Sequence, residues 1–231
     1  MASRVVLITA ALTDVGRASA LAFAEEGLRI VAAGECDAAG QQLVAEVRAL
    51  GAEAEFVRAD MRHEDEVREL IAKTVARFGS LDVAVNIACT ENEPGPVMEQ
   101  SAESYASTFD SNVLGTLLSM TYQLDVMLPD SHGSIVNVSS ILGPIAAGAS
   151  VYTISRHAVV GLMDPATLGP GVPLNAIDPG PIVPRMYTKF TGVDERQRGL
   201  VSTAPLFISG RPEEIARLIV FLAFGLDIFL H

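Results

Sequence analysis

Short apolar runs and helical repeats alternate along this chain from end to end, and few folds accept that pattern. Val5–Thr9, Ile30–Ala33, Glu55–Ala59, Leu81–Ala88, Ser134–Ser139 and Leu174–Asp178 read as strands. Between them, Arg17–Glu26, Ala38–Leu50, Glu64–Arg77, Ser101–Leu128 and Tyr152–Met163 read as helices, and Pro212–Phe224 closes the series. Gly27, Gly51 and Gly79 stand where helices stop. Such alternation requires parallel strands joined by crossover helices, hence a doubly wound α/β sheet. Both faces of that sheet are covered, which accounts for 49% apolar residues and near-continuous apolar strands. No linker, repeat or low-complexity tract divides the 231 residues, so a single domain over 1–231 is expected.

Charge and cysteine content narrow the partners. Lys plus Arg number 16 against 28 Asp plus Glu, a formal charge of −12. That balance, with no basic run, argues against nucleic acid and against anionic membrane surfaces. Cys36 and Cys89 build no disulfide framework, and no His/Cys cluster suggests a metal. A cytoplasmic location is expected. The apolar stretch Leu218–Leu230 is interrupted by Asp227 and is too short to span a bilayer.

In an open α/β sheet, ligands bind beyond the carboxyl ends of the strands. Three features fall there. Thr9–Gly16 joins the first strand to the first helix, Asn86-Ile87-Ala88-Cys89 ends the fourth, and Ser139-Ser140 ends the fifth. The next helix opens on Tyr152 and carries Arg156 four residues on, hence on the same face. A cation there favours the ionised phenol. With a serine hydroxyl nearby to hold a substrate oxygen, the group could move a proton to or from an alcohol.

With these residues in place, the chain resembles the short-chain dehydrogenase/reductase family over about its whole length. The resemblance runs through Leu81-Asp82-Val83, Gly133–Ser140, the Tyr152 helix, Asn175–Ile177 with Pro179–Ile182, and Gly210–Ala216. It implies a Rossmann-like sheet of order 3-2-1-4-5-6 and hydride transfer between a nicotinamide cofactor and a secondary alcohol or ketone. The implied catalytic group is Asn112, Ser140, Tyr152 and Arg156, with Ser140 a better match than Ser139. The implied cofactor contacts are Thr9, Asp14, Val15, Gly16, Glu35, Asp60, Met61, Asn86, Ala88, Tyr152, Arg156, Pro179, Gly180 and Ile182.

The departures from the family pattern bear on activity. The first turn keeps Thr9 and Gly16 but has Ala10 and Asp14 where the family has glycines that let a pyrophosphate approach. A carboxylate about 4 Å from a phosphate charge repels it by roughly 4 kcal/mol at an effective dielectric near 20. Alternatively, Asp14 caps the first helix; either way weak cofactor binding is expected. Arg156 replaces the family lysine, a cation of different shape, which implies a reduced rate; the alternative is a surface arginine. Ile87 and Cys89 replace an amide and a glycine, with Cys89 read as a small buried hydrophobe, and Pro184 replaces a threonine. Glu35, with no base at Gly34 or Thr13, favours NAD over NADP. Asp60 either contacts adenine, as in the family, or caps the helix that follows.

Relative to the family, the segment from Tyr152 to Asn175 is about one helical turn short, and a seventh strand is missing after His231. The proline-bearing stretch at 182–207 is expected to form a substrate lid. Its Met186, Tyr187, Phe190, Leu200 and Leu206 hint at an apolar alcohol or ketone. The family assembles through the 101–128 and 152–163 helices, which implies a homodimer or homotetramer. The alternative to an oxidoreductase is a family-derived binding or scaffold protein with weak or no turnover.

Overall fold

The computed structural model describes residues 3–87, 96–130, 132–140, 150–163, 171–182 and 209–224. Six strands form one parallel sheet: β1 (Val5–Ile8), β2 (Arg29–Gly34), β3 (Ala54–Arg58), β4 (Val83–Ile87), β5 (Ser134–Val138) and β6 (Leu174–Ile177). Their order is β3-β2-β1-β4-β5-β6, as the family resemblance implies, and all pairs are parallel, as the β-α alternation predicts. The helices are α1 (Asp14–Glu25), α2 (Asp37–Ala49), α3 (Glu64–Phe78), α4 (Ala102–Phe109), α5 (Gly115–Met127), α6 (Ser150–Gly161) and α7 (Pro212–Phe224).

Alternation along β1 builds two cores. Val6 and Ile8 face one side and pack with Phe23, Ile30, Val44 and Ile219. Val5 and Leu7 face the other and pack with Val31, Leu70, Ile71 and Met127. A side chain of this size contributes roughly 1.5–3 kcal/mol when fully buried. The reversal of strand order falls between β1 and β4, so the crevice at their carboxyl ends is where such a sheet takes a ligand.

Three local differences from the sequence reading have physical causes. Helix α1 begins three residues early, because Thr13 caps it: its Oγ1 accepts from Gly16 N at 3.1 Å. Asp14 is the first helical residue and not the cap. Asp60 does not occupy the cap position of α3 either; His63 does, without a side-chain cap bond. The expected single helix over 101–128 is broken by a π turn at Asp110–Leu114. Gly115 follows the turn where a Cβ would come within 3.1 Å of Met61 Cβ, so the helix runs close against the end of β3. A π turn commonly marks a functional position, and here it carries Asn112.

No helix among the described residues is long and apolar enough to cross a membrane, and none of those residues form a metal-ligating cluster. Within the expected lid, Ile182 forms a bridge to Gly210; residues 183–207, Ala88, Cys89, Pro184 and the chain after Phe224 lie outside the described residues.

Candidate active site

The C-terminal edge of the sheet gathers the catalytic candidates from three elements. Asn112 sits in the π turn, fully buried. Its Nδ2 donates to Ser155 Oγ at 3.1 Å, and Ser155 Oγ donates to the Tyr152 carbonyl at 2.7 Å. This chain ties the π turn to the first turn of α6, which presents Tyr152. Ser140 lies just past β5, half-buried.

Arg156 is buried at 2% exposure, which rules out the surface arginine considered from sequence. Its guanidinium carbon is 4.5 Å from the Tyr152 ring centroid. Its Nε and Nη1 have no hydrogen-bond partner, and neither does Thr153 Oγ1. A buried cation with unused donors is costly unless a bound oxygen-rich group takes them. Asp178, after β6, is a further acid that the sequence reading did not single out. Burial raises its carboxyl above the usual range, with Ser140, Ser139 and the Arg156 charge acting the other way.

At the first turn, Thr9 is buried; its Oγ1 accepts from Ile87 N at 3.1 Å and so binds β1 to β4. Ala10 holds φ +46°, the left-handed backbone for which the family uses glycine. A Cβ on Gly16 would meet Ala10 O at 2.4 Å, so only glycine lets α1 pack this close to the turn. Asp14 is exposed at the helix start, while Val15 is half-buried, its carbonyl accepting from Ser19 Oγ.

The adenosine-side candidates fall at the ends of β2 and β3. Asp60 Oδ1 accepts from Arg62 N at 2.9 Å, and its carboxylate takes Arg62 Nη2 at 2.5 Å. That hydrogen bonding holds the Asp60 carboxyl below its usual range. Glu35 is exposed and lies 4.0 Å from Arg62 Nη2. Arg62 escaped the sequence reading; its only signal was its place four residues beyond the end of β3. Met61 packs on α5, with Ser119 Oγ 3.7 Å from its sulfur.

Asn86 stands apart from the rest. Its amide is used within the protein: Nδ2 donates to Gln123 Oε1 and Asn137 Oδ1, both at 2.9 Å, and Oδ1 accepts from Gln123 Nε2 at 2.8 Å. The side chain therefore joins β4 to β5 and α5 beneath the crevice. After β6, Pro179 is buried and Gly180 exposed.

A parallel sheet of this order, with Tyr152 and a buried cation at its carboxyl edge, defines a Rossmann-type oxidoreductase domain. The family model described as enoyl-(acyl carrier protein) reductase matches residues 10–228. Cyclohexanol dehydrogenase of Acinetobacter sp. (strain SE19) is 30% identical over 224 residues, covering 95% of this chain and 87% of that protein. Among solved structures, NAD+-bound xylitol dehydrogenase superposes with a TM-score of 0.88 at 26% identity, covering 96% of this chain and 92% of that one. A variant actinorhodin polyketide ketoreductase with NADPH gives 0.84 at 27% identity, with the same coverages. The chain belongs to the short-chain dehydrogenase/reductase family, whose members are NAD(P)-dependent oxidoreductases.

Proposed function

We propose that this chain transfers a hydride between a nicotinamide dinucleotide and a secondary alcohol or ketone, with Tyr152 as general acid/base. The observation that carries the reading is the buried Arg156 guanidinium beside the Tyr152 ring, with Nε and Nη1 unpartnered. Those donors suit the hydroxyl oxygens of a nucleotide ribose. The close approach of Gly16 to the Ala10 turn suits a dinucleotide lying over the start of α1. When bound, the nicotinamide ring supplies or accepts the hydride. Ser140 holds the substrate oxygen within reach of the phenol. Tyr152 Oη gives its proton to that oxygen in reduction and takes it in oxidation, with the Arg156 guanidinium beside its ring. Asn112, held by Ser155, completes the proton path from solvent.

Glu35 favours NAD, since an acid at the adenosine ribose accepts from its hydroxyls and repels a 2′-phosphate. The cyclohexanol dehydrogenase relative supports a small apolar alcohol or ketone as substrate. Tyr105, Leu114, Leu117, Ile154 and Val160 are exposed on or beside α4, α5 and α6, which supports a homodimer or homotetramer through these helices. A cytoplasmic location fits the charge and cysteine content. The second reading, a binding protein of weak or no turnover, is favoured by Asp14 exposed at the phosphate turn. Tyr152→Phe tests the choice: turnover of a cyclohexanol-type alcohol with NAD+ falls by at least about a hundredfold, with the fold retained by circular dichroism. Activity that survives places the chemistry elsewhere.

A further inference from the structure

The ends of β2 and β3 carry a cation that bears on what the adenosine side accepts. Parallel pairing sets Gly34 beside Arg58, which brings the loops after the two strands together. Arg62 Nε donates to both Asp60 oxygens, at 2.9 and 3.0 Å, and Nη2 donates to Oδ2 at 2.5 Å. On its other side the same Nη2 is 4.0 Å from Glu35 Oε2. The two acids differ in how they are held. The Asp60 side chain is 14% exposed, and the Glu35 side chain is 69% exposed and beyond hydrogen-bond distance. Asp110 adds a further negative charge near the guanidinium.

Glu35 alone would repel a phosphate ester on the neighbouring ribose. The guanidinium changes that balance, because it is anchored by Asp60 and only loosely shared with Glu35. A phosphate ester arriving here displaces the loose carboxylate and takes up charge-assisted bonds from the planar guanidinium, at little cost to the Asp60 anchor. We propose that Arg62 is a specificity-determining residue: with Glu35 as a movable counter-ion, it makes the adenosine side accept a 2′-phosphorylated ribose as well as the free diol. The preference for NAD set by Glu35 is thereby held to a modest ratio.

This inference rests on the nicotinamide reading above, and its test separates the two. NADH and NADPH are titrated by fluorescence against the wild-type chain, Arg62→Ala, Arg62→Lys and Glu35→Gln. Arg62→Ala weakens NADPH by about tenfold or more while NADH changes by less than about threefold. Arg62→Lys, which keeps the charge without the fork, falls between, and Glu35→Gln tightens NADPH. The NADH constant of the two Arg62 variants checks that the loop is still formed. Equal changes for both nucleotides, or none, overturn the role of Arg62 and leave the oxidoreductase reading standing. Absence of saturable binding of either nucleotide to the wild type overturns both.

Discussion

The two ends of the sheet treat polar groups in opposite ways. At the amino end Asp82 is saturated: Oδ2 accepts from Val5 N at 2.7 Å and Ser80 Oγ at 3.0 Å, and His132 Nε2 lies 2.6 Å from Oδ1. Arg29 there donates to the Ser3 and Phe78 carbonyls. Ser134 Oγ is the one buried group without a partner at that end among the described residues. At the carboxyl end Arg156 and Thr153 keep unpartnered buried donors, and Ala10 holds a left-handed backbone. The amino end spends nearly all its polar groups on the fold, while the carboxyl end pairs Asn86 and Asn112 internally and leaves the Arg156 and Thr153 donors open. Buried donors left open at the end where such sheets bind ligands are what a site under functional constraint leaves behind.

Substitutions at the two ends can break that contrast. Asp82→Ala has the largest expected effect on stability. It leaves Val5 N buried without an acceptor and removes a charged acceptor from two other groups, costing about 3 kcal/mol by denaturant unfolding. Turnover per folded molecule stays unchanged; a matching loss of turnover would show that the ends are not separate. Arg156→Met should do the reverse. Turnover falls at least about tenfold, while stability changes by no more than about 1 kcal/mol, since a buried cation with two unused donors gives way to an apolar side chain. A stability loss comparable to that of Asp82→Ala would make Arg156 a structural residue. Ala10→Gly is the smallest expected change, a gain of about 1 kcal/mol from relief of the positive φ, read as a higher melting temperature. No gain there would mean that the turn carries no strain.

Sequence legibility follows the range of the interaction. The parallel, doubly wound sheet is readable because the runs from Val5 to Ile177 alternate with helices; its strand order follows from the family resemblance. The Tyr152–Arg156 pair was readable because helical spacing alone puts both on one face. The π turn is not, because Asp110–Leu114 has an ordinary helical pattern. Arg156 burial was not readable either, since it depends on packing of distant segments. The contact of Arg62 with Glu35 exists only once β2 and β3 pair, and nothing local to either residue announces it. Thr13 as the cap is legible in principle, since a threonine three residues before Gly16 is an ordinary start signal, but Asp14 beside it is an equally good capping residue.

If the carboxyl end is kept open for a nicotinamide dinucleotide, direct binding reveals it. NADH fluorescence titrated against the wild-type chain should saturate in the micromolar to millimolar range and tighten by about tenfold in Asp14→Gly, where one negative charge leaves the phosphate turn. No saturable binding of NADH or NADPH to the wild type up to millimolar concentration would contradict this.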